Sequence, residues 1–101
     1  MEFRIIIAMN VTDPARYAQY RAAMIPVLER FGGRFEYDMV ISTVLKSPAA
    51  HPISRVFMMA FPSRGVSTAF FGDHDYVAAK EAHFYDAVDG FTVIAEVEQG
   101  T

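Results

Sequence analysis

The chain has 101 residues, the size of a single domain, and 52% of them are hydrophobic, including nine Phe, five Tyr and six Met. Its formal net charge of −3 and its lack of any Lys or Arg cluster argue against a nucleic-acid partner. The absence of cysteine excludes disulfides, thiolate catalysis and cysteine-based metal sites. No apolar run approaches the ~20 residues that span a bilayer, and no signal-peptide pattern opens the chain, so we predict a cytoplasmic protein with no membrane partner.

The first predicted elements are a strand and a long helix. Glu2 to Met9 is apolar on both faces, which is typical of a strand covered on both sides. Asp13 to Arg34 begins with an Asp-Pro helix start, and Tyr17, Tyr20, Met24, Val27, Leu28 and Phe31 form one apolar stripe at three- and four-residue steps. Gly32-Gly33 predicts the helix end, with Gly33 in the left-handed conformation. Pro26 should bend the helix locally.

The second half predicts three further strands and a pair of helices. Alternation, prolines and capping residues predict a strand over Arg34–Leu45, a loop over Lys46–Ile53, a strand over Arg55–Phe61, helices over Arg64–Phe71 and Asp75–Ala87, and a last strand over Phe91–Glu98.

This order of elements predicts an α+β, ferredoxin-like βαββαβ sandwich over residues 1–101 as a single domain. Because helical crossovers are right-handed and only strands two and three are joined by a hairpin, the antiparallel sheet order is 4-1-3-2. Both helical segments then lie on one face of the sheet. A small domain buries only about 60–70% of its unfolded surface. We therefore expect the helix-free face, which is also apolar, to meet a second subunit in a homodimer.

Several short motifs occur along the chain: Asp13-Pro14, Tyr17 and Tyr20, Gly32-Gly33-Arg34, Phe61-Pro62-Ser63, Phe70-Phe71 and Asp75-Tyr76. Together they resemble the small bacterial proteins of domain-of-unknown-function family 1330. The resemblance implies a dimeric α/β barrel, a group whose members include cofactor-free monooxygenases, muconolactone isomerase-like enzymes and haem-binding proteins. The family itself has no established reaction.

The histidines give few candidate sites. His74 lies between Asp73 and Asp75, but neighbouring residues point in different directions and aspartate caps helix starts, so we predict no metal site. His51, between Ala50 and Pro52, is expected to be exposed or to lie at a subunit contact. His83 shares a helical stripe with Tyr76 and Lys80 and is either solvent-exposed or a pocket residue. It is our candidate for catalysis and ligand binding, and the only histidine that could hold a haem. We predict no cofactor.

Charged residues also occur within the predicted strands. Simple alternation puts these charges on one face and apolar residues on the helix-covered face. The charged set is Arg4, Glu36, Asp38, Arg55 and Glu96. We expect Arg4, Arg55 and Glu96 to form ion pairs at the dimer interface, with Arg4 meeting Glu96, because unpaired burial of charge is costly. The alternative is that these charges form a polar lining for a ligand.

Two functions are compatible with these patterns. In the first, the dimer binds or converts a small apolar or aromatic molecule, without a cofactor, in a cleft between sheet and helices. Tyr20, Tyr37 and His83 are the candidate ligand-binding residues, and His83 and Asp38 the candidate catalytic groups, with the two tyrosines as further acid–base groups. In the second, the protein is a non-catalytic dimeric binding or interaction module. A cavity holding a histidine or a carboxylate with a shifted pKa would favour the first.

Overall fold

The computed structural model describes residues 1–99 of the chain. Its elements are β1 (Glu2–Val11), α1 (Pro14–Arg30), β2 (Arg34–Val40), β3 (Arg55–Phe61), α2 (Arg64–Phe71), α3 (His74–Ala79), a π-helical segment (Lys80–Phe84) and β4 (Val88–Gln99). The strands form one antiparallel sheet in the order β2-β3-β1-β4, which is the predicted 4-1-3-2 order read from the other edge. The ferredoxin-like arrangement is confirmed. Among the described helices, none is long and apolar enough to cross a membrane.

Helix α1 covers the centre of the sheet with the predicted stripe. Its start is capped by Asp13, whose side chain accepts a hydrogen bond from the Arg16 amide. Tyr17, Tyr20, Met24, Val27 and Leu28 are buried against the sheet, and Pro26 lies within the helix as expected. The stripe is therefore the inner surface of the helical layer.

The two glycines after α1 have roles opposite to those predicted. Gly32 has the positive φ, at 75°, so it holds the left-handed position. Gly33 is required for space: a Cβ there would clash with Leu28 and lie 3.1 Å from Cδ1 of Phe61. The prediction that Gly33 is left-handed is wrong, because the close approach of β3 to the helix end was not visible in the local pattern.

Strand β2 is shorter than the pattern predicts. It ends at Val40 instead of Leu45, and the last hydrogen bond to the neighbouring segment runs from the Ile41 amide to the Ser54 carbonyl, at 2.8 Å. Because β3 starts only at Arg55, residues beyond Val40 have no strand to pair with. Leu45 is consequently 96% exposed.

The last helical segment is also divided. α3 ends at Ala79 and continues as the π-helical segment, and β4 starts at Val88, three residues before the predicted strand. Gly90 lies inside β4 with φ 95°. A Cβ there would lie 2.7 Å from Cγ of His51, so the glycine makes room for that ring. His51 bonds Thr92 (Nε2 to Oγ1, 2.8 Å) and holds the loop against β4.

Two breaks in strand register reverse the sheet faces that simple alternation predicts. One lies between Phe35 and Tyr37 of β2, and one lies where β4 pairs with Ile6 and Ile7 of β1. An extra residue in one strand turns every later side chain to the opposite face.

After the breaks, several charges change side. Asp38 pairs with the buried Phe57, and Glu96 pairs with the buried Ile5, so both lie on the helix-covered face. Arg55, opposite the buried Met9, lies there as well. The predicted face is therefore wrong for Asp38, Arg55 and Glu96. The two charges assigned correctly to the helix-free face, Arg4 and Glu36, bond each other there.

The predicted faces are also reversed for β3 and for several apolar residues of β2 and β4. The buried β3 residues face the helices, and Val56 and Met58 lie on the helix-free face. Because β3 is apolar on both faces, its sequence gave no indication of which face was which. Tyr37, Met39 and Ala95 also lie on the helix-free face, contrary to the alternation, because each follows a register break.

Candidate functional site

A cavity of about 270 Å³ lies between the sheet and the helical layer. All four strands form its floor, and residues of α1, α2, α3 and the π-helical segment form its roof. The lining residues are Ile5, Ile7, Met9, Tyr17, Tyr20, Arg21, Met24, Phe35, Phe57, Met59, Phe71, Tyr76, Lys80, Phe84, Phe91 and Val93. An apolar engineered cavity of about 150 Å³ holds benzene, so this space admits an aromatic ring with substituents.

The cavity reaches the surface at the β4 edge. Phe91 and Val93 line it and are 52% and 42% exposed. The π-helical segment borders this edge and contributes Lys80 and Phe84. Such segments occur often at functional sites, where they redirect side chains that a regular helix would place elsewhere. We call this edge the entrance.

A pair of buried tyrosines lies in the roof. The hydroxyls of Tyr20 and Tyr76 are 2.9 Å apart and hydrogen-bonded. Burial raises the pKa of Tyr20 far above its usual value and also raises the pKa of Tyr76, since an ionised phenolate would be poorly solvated there. Both phenols are therefore neutral, and they act as hydrogen-bonding groups and not as bases.

At the β2 end, the guanidinium of Arg21 closes the cavity. Its Nε donates to the Tyr17 hydroxyl at 2.8 Å, and its terminal nitrogens donate to the Asp38 carboxylate at 3.0 and 3.3 Å. Arg55 donates to the same carboxylate twice, at 2.8 Å. Arg21 also stacks on Phe35, with 4.0 Å from its central carbon to the ring centroid. We call Arg21, Asp38 and Arg55 the arginine cluster.

The arginine cluster determines what Asp38 can do. Hydrogen bonds from Arg55, and then from Arg21, lower the pKa of Asp38 below its ordinary value. A carboxylate stabilised in this way holds its charge and is a poor proton acceptor near neutral pH. Asp38, predicted as a candidate catalytic group, is thus bound to two arginines beside the cavity, and it does not line the cavity.

The other predicted ligand-binding residues separate. Tyr20 lines the cavity. Tyr37 is 60% exposed on the helix-free face, because of the register break before it. His83 lies on the π-helical segment but not in the cavity lining, and its Nδ1 is buried without a hydrogen-bond partner among the described residues. The roles predicted for His83 and Tyr37 stay predictions.

The predicted interface residues have partners within the chain. Arg4 bonds Glu36 at 2.6 Å and Glu2 at 3.1 Å on the helix-free face. Glu96 pairs instead with Arg64 of α2, at 2.9 Å. The expected Arg4–Glu96 pair is wrong, because Arg4 lies opposite Val97 and Glu96 opposite Ile5, on the other face. Whether Arg4, Arg55 or Glu96 meets a second subunit stays a prediction.

Metal ligands do not converge in the part of the chain that the structure describes. No three His, Asp or Glu side chains there could hold one ion together. Asp73 caps α3 by accepting from the amides of Asp75 and Tyr76, and His74 is exposed beside it. The Asp-His-Asp triplet is explained by helix capping.

Sequence reasoning missed four polar or charged lining residues: Tyr17, Arg21, Lys80 and the buried Tyr76. Helical spacing indicates that these residues share a helix side, but we did not use this spacing to predict cavity residues. Arg21 follows Tyr17 by four residues, and Lys80 follows Tyr76 by four, which places each pair on one side of its helix. The stripe containing Tyr76 and Lys80 was expected to meet solvent more often than a site.

Comparison with known proteins gives the family. Residues 4–97 match the family model described as Domain of unknown function (DUF1330), and the chain belongs to that family. This confirms the resemblance found in the sequence. No curated protein matches the chain.

Several solved structures share the fold. A protein of unknown function from Rhodopseudomonas palustris is 20% identical with a TM-score of 0.79, covering 99% of this chain and 83% of its own. A dabb family protein with a ferredoxin-like fold from Mesorhizobium loti is 18% identical with a TM-score of 0.68, covering 98% of each chain. A dimeric, ferredoxin-like protein of unknown function from Bacteroides fragilis is 8% identical with a TM-score of 0.64, covering 97% of this chain and 96% of its own. At these identities the likeness shows the fold alone.

Proposed function

We propose that the protein binds a small apolar or aromatic molecule in the cavity between its sheet and helices. The observation that carries this is the cavity itself, about 270 Å³ of space lined by aromatic and aliphatic side chains. Protein interiors are otherwise close-packed, and a void of this size forfeits packing energy in the free protein. An apolar ligand that enters from the β4 edge would recover those contacts.

Binding has more support than acid–base conversion by the protein's own side chains. Among the described residues, no histidine and no carboxylate lines the cavity. Asp38 is held ionised by the arginine cluster, and burial keeps the Tyr20 and Tyr76 phenols neutral. Cofactor-free conversion stays the second candidate, and its test is whether a bound molecule is recovered chemically unchanged.

A titration with a neutral aromatic probe tests the binding proposal. 2-Naphthol should bind the wild type and raise its melting temperature. Val93→Trp puts a large ring at the entrance and should weaken binding at least tenfold. Val77→Trp is the matched control, because Val77 is partly exposed on α3 and lies outside the cavity. Equal affinities in the wild type and the Val93 variant would refute the proposal.

We also propose that the protein is a homodimer joined through its helix-free face. Large apolar side chains are exposed there, including Tyr37, Met39 and Val97. The Arg4–Glu36 ion pair lies among them, beside Met58. A dimer of this kind would cover the apolar face and leave the entrance on the opposite side of the sheet free.

Sedimentation of two matched charge substitutions tests the dimer. Val97→Asp puts a carboxylate on the helix-free face and should convert dimer to monomer at micromolar concentration. Val77→Asp makes the same change at similar exposure on the helical side and should leave the dimer intact. A wild-type protein that sediments as a monomer at every concentration contradicts the proposal.

A further inference from the structure

We propose that the molecule bound in the cavity carries a carboxylate, which is held at the entrance by the ammonium of Lys80 and by one hydroxyl of the Tyr20–Tyr76 pair. This inference rests on the proposed binding function and adds the chemical class of the ligand.

The first argument is the charge of the cavity. Of the described residues that line it, the charged ones are Arg21 and Lys80, and both are cations. Because no carboxylate shares the lining, the electrostatic field inside favours an anion. The two cations differ in one respect, which is whether the protein already neutralises them.

Arg21 is fully engaged by the protein. It donates to the Tyr17 hydroxyl and to both oxygens of Asp38, and its flat guanidinium stacks on Phe35. A ligand anion at this end would have to displace Asp38, which two arginines hold. Arg21 is therefore part of the cavity wall.

Lys80 is half-buried and has no such partner. It forms no ion pair and no hydrogen bond with any residue that the structure describes, and its contacts are with two aromatic faces. Its Nζ lies 5.5 Å from the ring centroid of Phe84 and 5.8 Å from that of Tyr85. The Lys80 side chain is half-buried and its ammonium has no ion pair among the described residues, so an anionic ligand would supply one.

The tyrosine pair supplies a second group of the right kind. Two phenols own two hydroxyl hydrogens, and the bond between Tyr20 and Tyr76 uses one of them. The other hydrogen makes no hydrogen bond with the described residues. It is available to donate to an oxygen of a ligand.

The two groups border the same part of the cavity, beside Phe84. Tyr76 and Lys80 are four residues apart, which places their side chains on one side of the helical segment. The ring of Tyr20 packs 5.1 Å from that of Phe84, the same ring that Lys80 contacts. An ammonium and a neutral hydroxyl donor beside an apolar cavity match a carboxylate attached to an apolar body.

Matched acid and amide ligands test this inference. The probes are phenylacetate with phenylacetamide and benzoate with benzamide, titrated calorimetrically into the wild type at pH 7. Each pair has nearly the same shape and differs in charge. We expect each acid to bind at least about tenfold more tightly than its amide, as a hydrogen bond to a charged group typically provides.

Lys80→Met should abolish that preference by weakening acid binding more than amide binding, and the circular dichroism spectrum of the ligand-free variant checks that it is folded. Lys46→Met is the control, because it removes the only other lysine charge, and Lys46 lies in an exposed loop outside the cavity. Equal binding of acid and amide by the wild type, or an acid preference that survives in Lys80→Met, would overturn the inference and leave the proposed function standing. If neither acids, amides nor 2-naphthol bind, the proposed function fails and the inference fails with it.

Discussion

The two ends of the cavity treat a positive charge differently. At the β2 end, Arg21 makes three hydrogen bonds and a stacking contact, and its side chain is only 11% exposed. At the β4 end, the Lys80 ammonium lies against two aromatic rings and forms no ion pair with a described residue. A cation that is hydrogen-bonded and ion-paired within the protein stabilises the fold, whereas a cation without an ion pair is available to bind a ligand anion. Substitutions at the two ends should therefore differ in what they cost the fold.

The largest effect is expected for Arg21→Met. The change keeps a long apolar stem but leaves the Tyr17 hydroxyl and part of the Asp38 carboxylate without a donor. We expect the free energy of unfolding to fall by about 3 kcal/mol, the low end for breaking a buried charge pair. Urea denaturation at pH 7 measures it. A loss below about 0.5 kcal/mol would mean that the arginine cluster is solvated and that the two ends of the cavity are alike.

A smaller effect is expected for the tyrosine pair in the roof of the cavity. Tyr20→Phe or Tyr76→Phe alone removes one buried hydroxyl and leaves its partner with no bond, at a cost of about 1–2 kcal/mol. The double variant should cost less than the sum of the two single changes. Chemical denaturation of the four proteins gives the coupling energy. Strict additivity would mean that the two hydroxyls do not interact.

The pH dependence of stability in the Asp38→Asn variant tests the ion pairs of the arginine cluster. The folded pKa of Asp38 lies below its ordinary value of 3.8, so its stabilising effect is present above that value and is lost as pH falls through the folded pKa. At pH 7 we expect the variant to be less stable by about 1 kcal/mol, since the group is partly exposed and screened. The difference between variant and wild type should shrink below pH 3.8. A difference that stays constant down to pH 2 would contradict the ion pairing.

The smallest effect is expected for Lys80→Met in the absence of ligand. Because Lys80 has no ion pair to lose within the described chain, its removal should change the free energy of unfolding by less than about 0.5 kcal/mol in either direction. The same urea titration used for Arg21→Met measures this change. A loss comparable to that of Arg21→Met would show that Lys80 has a structural partner and would remove the contrast between the two ends.

The local patterns predicted the elements of this fold well. The Asp13-Pro14 start and the stripe from Tyr17 to Leu28 lie where the sequence indicated, because capping and helical spacing involve residues close together in the chain. The strand order followed from short connections and right-handed crossovers. Predicted element ends were wrong where pairing with residues distant in sequence sets them. At Val40, for example, β2 ends because no partner strand continues beside it.

The site was less predictable for the same reason. The sequence by itself determined the ferredoxin-like order of elements and a surplus of apolar surface, and it marked Tyr20 as a cavity residue. Only the tertiary structure decided which face Asp38 and Glu96 occupy, because one extra residue in a strand reverses every side chain after it and leaves the composition unchanged. It also decided that Arg21 pairs with Asp38, whereas Lys80 has no ion pair with a described residue. The state of a charge depends on which partner the folded chain brings within hydrogen-bond distance, and that partner, Asp38 for Arg21, lies on another element.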